Sequence, residues 1–371
     1  MVIIMRKKIT VLFLNNNFYG SYSSNQIFFE EIIVAFKKKG INVLVASKVN
    51  EAMEMYEKEK INFSLSFSKY KYFYNGLPLY EKYKIINYQW VSDNPLKMNI
   101  DFESEWIKYI FIDNEYPLII DDKIKNECLY RPLGFLEDNI MMPLSQKNER
   151  LLFPCKIRNL NELFAKINES SISLKIKNFL DFYNRDTSFI KSIAKFYKEE
   201  NFLDLSLKEY FFRLTNEYIR AEKRLWVIEH IEAYKVDILS EDYGNNIKNK
   251  NVKFVSPVKY SMLNKIINNY SLVINVDPNY HSCIHDRFIK AVSSGSICIT
   301  NSNELTSTIT DVTYSFERAD SIMEAIELSK KNNMYEQQLL SILPYSWEQS
   351  VIFILNDYIK GRYYNEVSNT L

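Results

Sequence analysis

Residues 272–300 constrain the fold of this chain more than any other segment. Residues 272–276 are apolar, residues 288–294 have helical character and end at Gly295, and residues 296–300 are apolar again. A strand, a helix closed by glycine and a second strand form a βαβ unit, which belongs to a parallel sheet. The polar residues between the first strand and the helix lie at the edge where open α/β sheets bind ligands.

The N-terminal part of the chain shows the same alternation. Residues 9–14 are apolar, a helical pattern then runs to Lys39 and Gly40, and residues 41–46 are apolar. Further apolar runs predict strands at residues 61–67, 84–91 and 109–112. A chain that opens with a βαβ pattern and continues with strands predicts a Rossmann-like, doubly wound α/β domain over residues 1–150.

A second domain of the same class is predicted over residues 151–345. A lysine-rich helical stretch with few turn signals, about 160–234, forms an insertion in it, and strands resume at residues 236–239 and 252–255. The last segment, residues 346–371, contains a helix that is apolar on most of its surface, so it must be buried on more than one side. The predicted fold class is therefore α/β with two doubly wound domains and a helical insertion.

Composition excludes several classes of protein. The net charge of +1 over 371 residues argues against nucleic acid as the main partner, because nucleic-acid-binding domains usually carry a basic excess. The four cysteines have no paired spacing, so we predict no metal site and a reducing, cytoplasmic location. No apolar run approaches the ~20 residues that span a bilayer. Contact with the surface of a membrane stays open.

The helix start after residue 285 is the first candidate site. An arginine there, Arg287, can clamp a diphosphate while His285 and the backbone amides around Cys283 bind beside it. His281 could contact the bound ligand or carry a proton. Ser302, after the next strand, could contact another part of the same ligand. The structural alternatives are an arginine paired with a neighbouring aspartate and a loop histidine without a chemical role.

Two segments of the first domain are further candidates. Asp93 follows a predicted strand and could accept a proton from a hydroxyl group of a bound substrate, or it could only cap a turn. Residues 70–80 are crowded with aromatic side chains and flanked by lysines, a composition that suits sugars or membrane interfaces. Packing of these rings against the first domain is the structural alternative.

A motif in the second domain resembles a known family. Its positions are Asn275, Pro278, Arg287, Phe288, Ala291, Ser294, Gly295 and Thr300. Together with the segments around it, about 236–358, this pattern resembles the C-terminal domain of GT-B glycosyltransferases, and most closely the spore-maturation-type, group 1-like family. The first domain resembles that family more weakly, through residues 90–95.

The resemblance implies a fold, a reaction and roles for residues. The second domain would bind a nucleotide-diphosphate sugar, with a UDP-sugar favoured, and the first would bind a glycan, a lipid-linked glycan or a protein. The last helix would cross back to the first domain. No cofactor or metal is implied, and Asp93 or His281 would be the base. Lys290 stands at the donor site where the family often has a glutamate that binds the ribose.

Two other functions fit the same sequence. A sugar-nucleotide epimerase of this fold would release and rebind its nucleotide without using an acceptor. A catalytically inactive, glycosyltransferase-like module would only bind glycans or a partner, and the replacement of the glutamate by Lys290 is the feature that favours it.

Overall fold

The computed structural model describes most of the chain. The described residues are 9–15, 24–92, 95–98, 103–120, 128–202, 204–241, 244–245, 247–277, 279, 281–331 and 334–368, with side chains through residue 361.

Six parallel strands form the first sheet, and a short antiparallel hairpin follows the third of them. In chain order the six strands are β1 (Thr10–Leu14), β2 (Asn42–Ala46), β3 (Phe63–Phe67), β6 (Asn87–Val91), β7 (Ile107–Phe111) and β8 (Leu129–Tyr130). The hairpin between β3 and β6 consists of β4 (Phe73–Tyr74) and β5 (Leu77–Pro78). The order across the sheet is β2-β1-β3-β6-β7-β8. Its central strands β1, β3 and β6 are buried along their whole length, which explains their continuous apolar character.

The second sheet also has six parallel strands. They are β9 (Leu151–Phe153), β10 (Val236–Leu239), β11 (Val252–Val255), β12 (Leu272–Asn275), β13 (Ile297–Asn301) and β14 (Thr313–Tyr314), in the order β11-β10-β9-β12-β13-β14. From β9 the chain first builds outward through β10 and β11, and then returns to the other side of β9 with β12. The strand order therefore reverses beside β9.

Helices cover both sheets. They are α1 (Ser24–Lys38), α2 (Val49–Lys58), α3 (Leu79–Tyr83), α4 (Leu160–Asn168), α5 (Ser173–Phe182), α6 (Phe189–Glu199), α7 (Leu205–Glu229), α8 (Leu263–Asn268), α9 (Asp286–Ser293), α10 (Thr306–Ile309), α11 (Ser321–Ser329), α12 (Met334–Ile342) and α13 (Trp347–Ser368). Two parallel sheets flanked by helices confirm the predicted fold class.

The helical insertion between β9 and β10 consists of α4–α7. Side chains of Asn159, Ser188 and Asp204 cap the N-termini of α4, α6 and α7, and these breaks divide a stretch in which the sequence shows few turns. α6 packs against the 3-10 turn Tyr116–Ile119, which belongs to the first half of the chain. The insertion therefore bridges the two sheets.

The terminal helix α13 packs on the first half of the chain. It lies against α1, and its side chains Trp347, Val351, Ile354 and Tyr358 belong to the same buried cluster as β1 and β3. Gly134 allows this close approach, because a Cβ there would lie 2.8 Å from the carbonyl oxygen of Tyr345 and 2.9 Å from the Trp347 ring. The chain thus returns from the second sheet to the first.

Candidate functional site

A cleft of about 680 Å³ lies at the carboxyl edge of the second sheet. After β9, the wall includes Pro154, Cys155, Lys156 and Arg158. It also includes Leu239 at the end of β10, and Asp286 and Arg287 after β12. In open parallel sheets the point where the strand order reverses leaves a crevice beyond the strand ends, and ligands bind there. The first half of the chain contributes Lys97 and Tyr116, so the cleft lies between the two halves.

The cleft is strongly basic. Among the described residues, only two carboxylates, those of Glu217 and Asp286, line it. The seven basic side chains that line it are Lys97, Lys156, Arg158, Arg213, Arg220, Arg224 and Arg287. Because the whole chain has a net charge of only +1, this positive charge is concentrated rather than general. A cleft of this kind attracts an anionic ligand.

Helix α7 supplies one wall of the cleft. Arg213, Arg220 and Arg224 are seven and four residues apart, and this spacing places them on one face of the helix. Asn216 and Glu217 lie on the same face and also line the cleft. Other residues of α7, including Phe211 and Ile219, are buried in the core, which fixes the orientation of the polar face.

The guanidinium of Arg224 is buried beside two other positively charged groups of the cleft. Its Nη1 donates a hydrogen bond to the carbonyl of Lys156, but its buried Nε has no hydrogen-bond partner among the described residues. Burial lowers the pKa of Arg224 well below its ordinary value, and the neighbouring charges of Arg220 and Arg287 lower it further. A diphosphate placed between these guanidinium groups would relieve this repulsion.

Arg287 is held at the start of α9 by its neighbours. Its Nη1 donates to the carbonyl of Pro154 at 3.0 Å, and its backbone N–H donates to His285 Nδ1, which caps the helix, at 3.1 Å. Tyr260 donates to Asp286 at 2.6 Å on the other side. The structure thus places the predicted Arg287 on the cleft wall, with His285 behind it as a positioning group.

Four other predicted site residues, the catalytic candidate His281 and the donor-binding candidates Ser302, Cys283 and Lys290, make contacts outside the cleft wall. His281 donates its backbone N–H to Asp113 at 3.0 Å, and Ser302 contacts Ser307. Cys283 belongs to the first core, the buried cluster that contains the side chains of β1 and β3. The Nζ of Lys290 lies 4.5 Å from the centre of the Tyr260 ring. None of these four is among the residues that line the cleft. Asp93 lies outside the described residues.

One cluster between the two halves contains potential metal ligands. Ligand atoms of Glu115, His281 and Glu304 lie within 4.8 Å of one another. The Nζ of Lys191 lies 2.7 Å from Glu115, and the hydrogen bond to that carboxylate raises the pKa of Lys191. This ammonium group therefore already offsets one of the two carboxylate charges of the cluster.

Comparison with known proteins identifies the fold. No protein-family model matches the sequence, and no curated protein does. AviGT4, a glycosyltransferase involved in avilamycin A biosynthesis, superposes with a TM-score of 0.56 at 8% identity, over 95% of this chain and 97% of that one. Sucrose-phosphate synthase from Thermosynechococcus elongatus gives 0.53 at 9% identity, over 98% and 100%. The chain has the GT-B fold.

A further GT-B structure is similar over its whole length. It is an α-glucosyltransferase in complex with UDP and a DNA 13-mer, with a TM-score of 0.51, 10% identity, and coverage of 95% of this chain and 100% of that one. At these identities the comparison establishes the architecture. The GT-B fold confirms the resemblance drawn from residues 236–358.

The sequence analysis missed most of the basic residues of the cleft in this GT-B chain. They are Arg213, Arg220 and Arg224 of α7, together with Lys156 and Arg158. A signal for them exists. The chain contains 36 lysines but only 11 arginines, and five of the 11 line the cleft. Scarce arginines at helical spacing on one face would have indicated an anion site.

The buried His285 predicts a pH dependence of stability. Burial first, and the charge of Arg287 second, lower its pKa to about 4, whereas an unfolded histidine titrates near 6.5. Between these values the unfolded chain binds more protons, so the contribution of His285 is fully present above pH 6.5 and is lost as the pH falls. The loss approaches about 3 kcal/mol near pH 4.

Urea unfolding measured from pH 7 to pH 4 checks this prediction. We expect the free energy of unfolding of the wild type to fall more steeply than that of His285→Asn. Equal slopes for the wild type and His285→Asn would contradict the buried, neutral state of His285.

Proposed function

We propose that this protein is a glycosyltransferase that moves a sugar from a nucleoside-diphosphate sugar to a hydroxyl group. A UDP-sugar is the favoured donor. The arginine-lined cleft between the two halves of the GT-B fold is the observation that carries the proposal, because its charge matches a diphosphate. The structural neighbours support it, since one is a glycosyltransferase involved in avilamycin A biosynthesis and another is an α-glucosyltransferase in complex with UDP.

The guanidinium groups have a direct role in the proposed reaction. As the glycosidic bond breaks, the departing diphosphate gains negative charge, and Arg220, Arg224 and Arg287 would stabilise it. Their positions are fixed by α7 and by the hydrogen bond of Arg287 to Pro154, so little reorganisation is needed during the reaction. In this proposal, protein side chains supply the positive charge and the transfer is independent of a metal.

Asp93 is our proposed base, with His281 as the alternative. Ser92, the residue before Asp93 in the sequence, is buried and follows β6 at the carboxyl edge of the first sheet. Replacement of Asp93 by asparagine keeps the shape of the side chain but removes the proton acceptor, so turnover should fall roughly 100-fold or more with donor affinity unchanged. Steady-state kinetics and calorimetry on Asp93→Asn check this. Near-normal turnover would return Asp93 to a capping role.

The acceptor is proposed to be a hydroxyl on a glycan, a lipid-linked glycan or a protein, on the cytoplasmic side of a membrane. Among the helices of the described chain, none combines the length and the hydropathy needed to cross a bilayer.

A thermal-shift screen of UDP-, GDP-, CMP- and dTDP-sugars, followed by product analysis without an acceptor, tests the proposed function. A bound donor raises the melting temperature by mass action. Slow hydrolysis of the bound sugar nucleotide supports a transferase. An epimerised sugar would indicate the epimerase, and binding without turnover would indicate an inactive module. A protein stabilised by none of these nucleotides would contradict the proposal.

A further inference from the structure

The β4–β5 hairpin carries apolar side chains that the fold does not bury. Phe73, Tyr74 and Leu77 are 40%, 43% and 48% exposed, and Tyr74 and Leu77 are paired across the hairpin beside its turn. Asn75 and Gly76 both have positive φ, 49° and 82°, as a tight two-residue hairpin turn requires. The tip is therefore a defined structure rather than a loose loop.

The base of the hairpin is anchored in the first core. Tyr70, Tyr72, Leu79 and Tyr80 are buried there, and the hydroxyl of Tyr72 donates to the carbonyl of Ala46 at 2.8 Å. The aromatic segment noted in the sequence is thus divided. Its flanks have the structural role of packing, and its tip projects into solvent.

The surroundings of the tip are basic. Residues 69–84 contain four lysines and one glutamate, although the whole chain is close to neutral. The Nζ of Lys82 lies 4.1 Å above the Tyr74 ring, and Lys69 and Lys71 are exposed. Aromatic rings beside lysines match the interface of a membrane that contains anionic lipids, where rings enter the headgroup layer and ammonium groups contact phosphates.

We propose that the β4–β5 hairpin docks the protein on an anionic lipid surface, with Phe73, Tyr74 and Leu77 entering the headgroup layer. The hairpin follows β3, and the backbone N–H of Ser68 at its base donates to the carbonyl of Trp90 in β6 at 2.8 Å. Docking therefore places the lipid surface beside the strand that leads to Asp93. This proposal does not depend on the transferase activity.

Co-sedimentation with vesicles of phosphatidylcholine, with and without phosphatidylglycerol, tests the docking. We expect the full-length protein to bind the anionic vesicles and to lose affinity as salt is raised. Phe73→Ser/Leu77→Ser should weaken this binding at least about tenfold. Lys71→Gln/Lys82→Gln, which leaves the apolar tip in place, should lose roughly fivefold per charge.

Leu174→Ser/Phe182→Ser is the matched control, because these side chains of α5 are even more exposed, at 73% and 87%, but lie outside the hairpin. It should bind vesicles like the wild type, and melting curves should show every variant folded. A wild type that does not prefer anionic vesicles would overturn the proposal and indicate that a protein partner covers the hairpin. Unchanged binding by both hairpin variants would also overturn it.

Discussion

Arg220→Met is expected to lower kcat/KM for the nucleotide sugar by roughly 30- to 1000-fold, which corresponds to about 2–4 kcal/mol of transition-state stabilisation. The free protein should be as stable as the wild type or more stable. Arg220 is one of the charges that lower the pKa of the buried Arg224, so its removal relieves repulsion in the empty cleft. Methionine keeps most of the apolar stem of the side chain.

Opposite effects on activity and on stability distinguish a binding role from a structural one. Arg318→Met is the control, because Arg318 is an exposed arginine that pairs with Glu324 and does not line the cleft. It should leave kinetics unchanged. The measurements are steady-state kinetics and thermal melting without ligand. If Arg220→Met keeps normal donor affinity and turnover, the cleft is not the donor site.

Trp347→Ala is expected to destabilise the protein by about 3–5 kcal/mol, a large part of the 5–15 kcal/mol typical of folded proteins. Trp347 is fully buried against the first half of the chain, with its ring packed against Phe28, Phe67 and Trp90. Its Nε1 donates to Glu31 at 2.9 Å, and truncation leaves that carboxylate without this donor.

Gln349→Ala in the same turn of α13 is the control, because Gln349 is exposed. It should unfold at the same urea concentration as the wild type. A loss below about 1 kcal/mol in Trp347→Ala would show that α13 is not part of the first core.

A chain that ends at Tyr345 extends the same prediction. It also loses Val351, Ile354 and Tyr358, and each buried side chain contributes about 1.5–3 kcal/mol. We expect aggregation or no cooperative unfolding. A soluble and active truncated protein would contradict the return of the chain to the first half.

Local patterns in the sequence were sufficient to predict the fold. Residues 272–300 show the pattern of a strand, a helix that ends at Gly295, and a second strand. This local pattern predicts a βαβ unit without information on distant contacts, and β12, α9 and β13 have the predicted order. Gly295 has a φ of 83°, as expected for a glycine that ends a helix.

The site was predicted only in part, because most of it is assembled by contacts distant in sequence. Arg287 was found from its place at a helix start. Arg220 and Arg224 reach the cleft only because the insertion folds back over the carbonyl of Lys156, 68 residues away from Arg224. Lys290 is one turn beyond Arg287 on a helix that is buried on several sides, and its position faces Tyr260 rather than the cleft.

Calorimetric titration of nucleoside diphosphates and of the matching monophosphates is the direct test of a diphosphate site in the arginine-lined cleft. If the arginine cluster is a diphosphate site, at least one of UDP, GDP, CDP and dTDP should bind the wild type more than about tenfold tighter than its monophosphate. This advantage should disappear in Arg220→Met and persist in Arg318→Met. Equal affinities for diphosphate and monophosphate, or no binding of any diphosphate, would show that the arginine-lined cleft is not a diphosphate site.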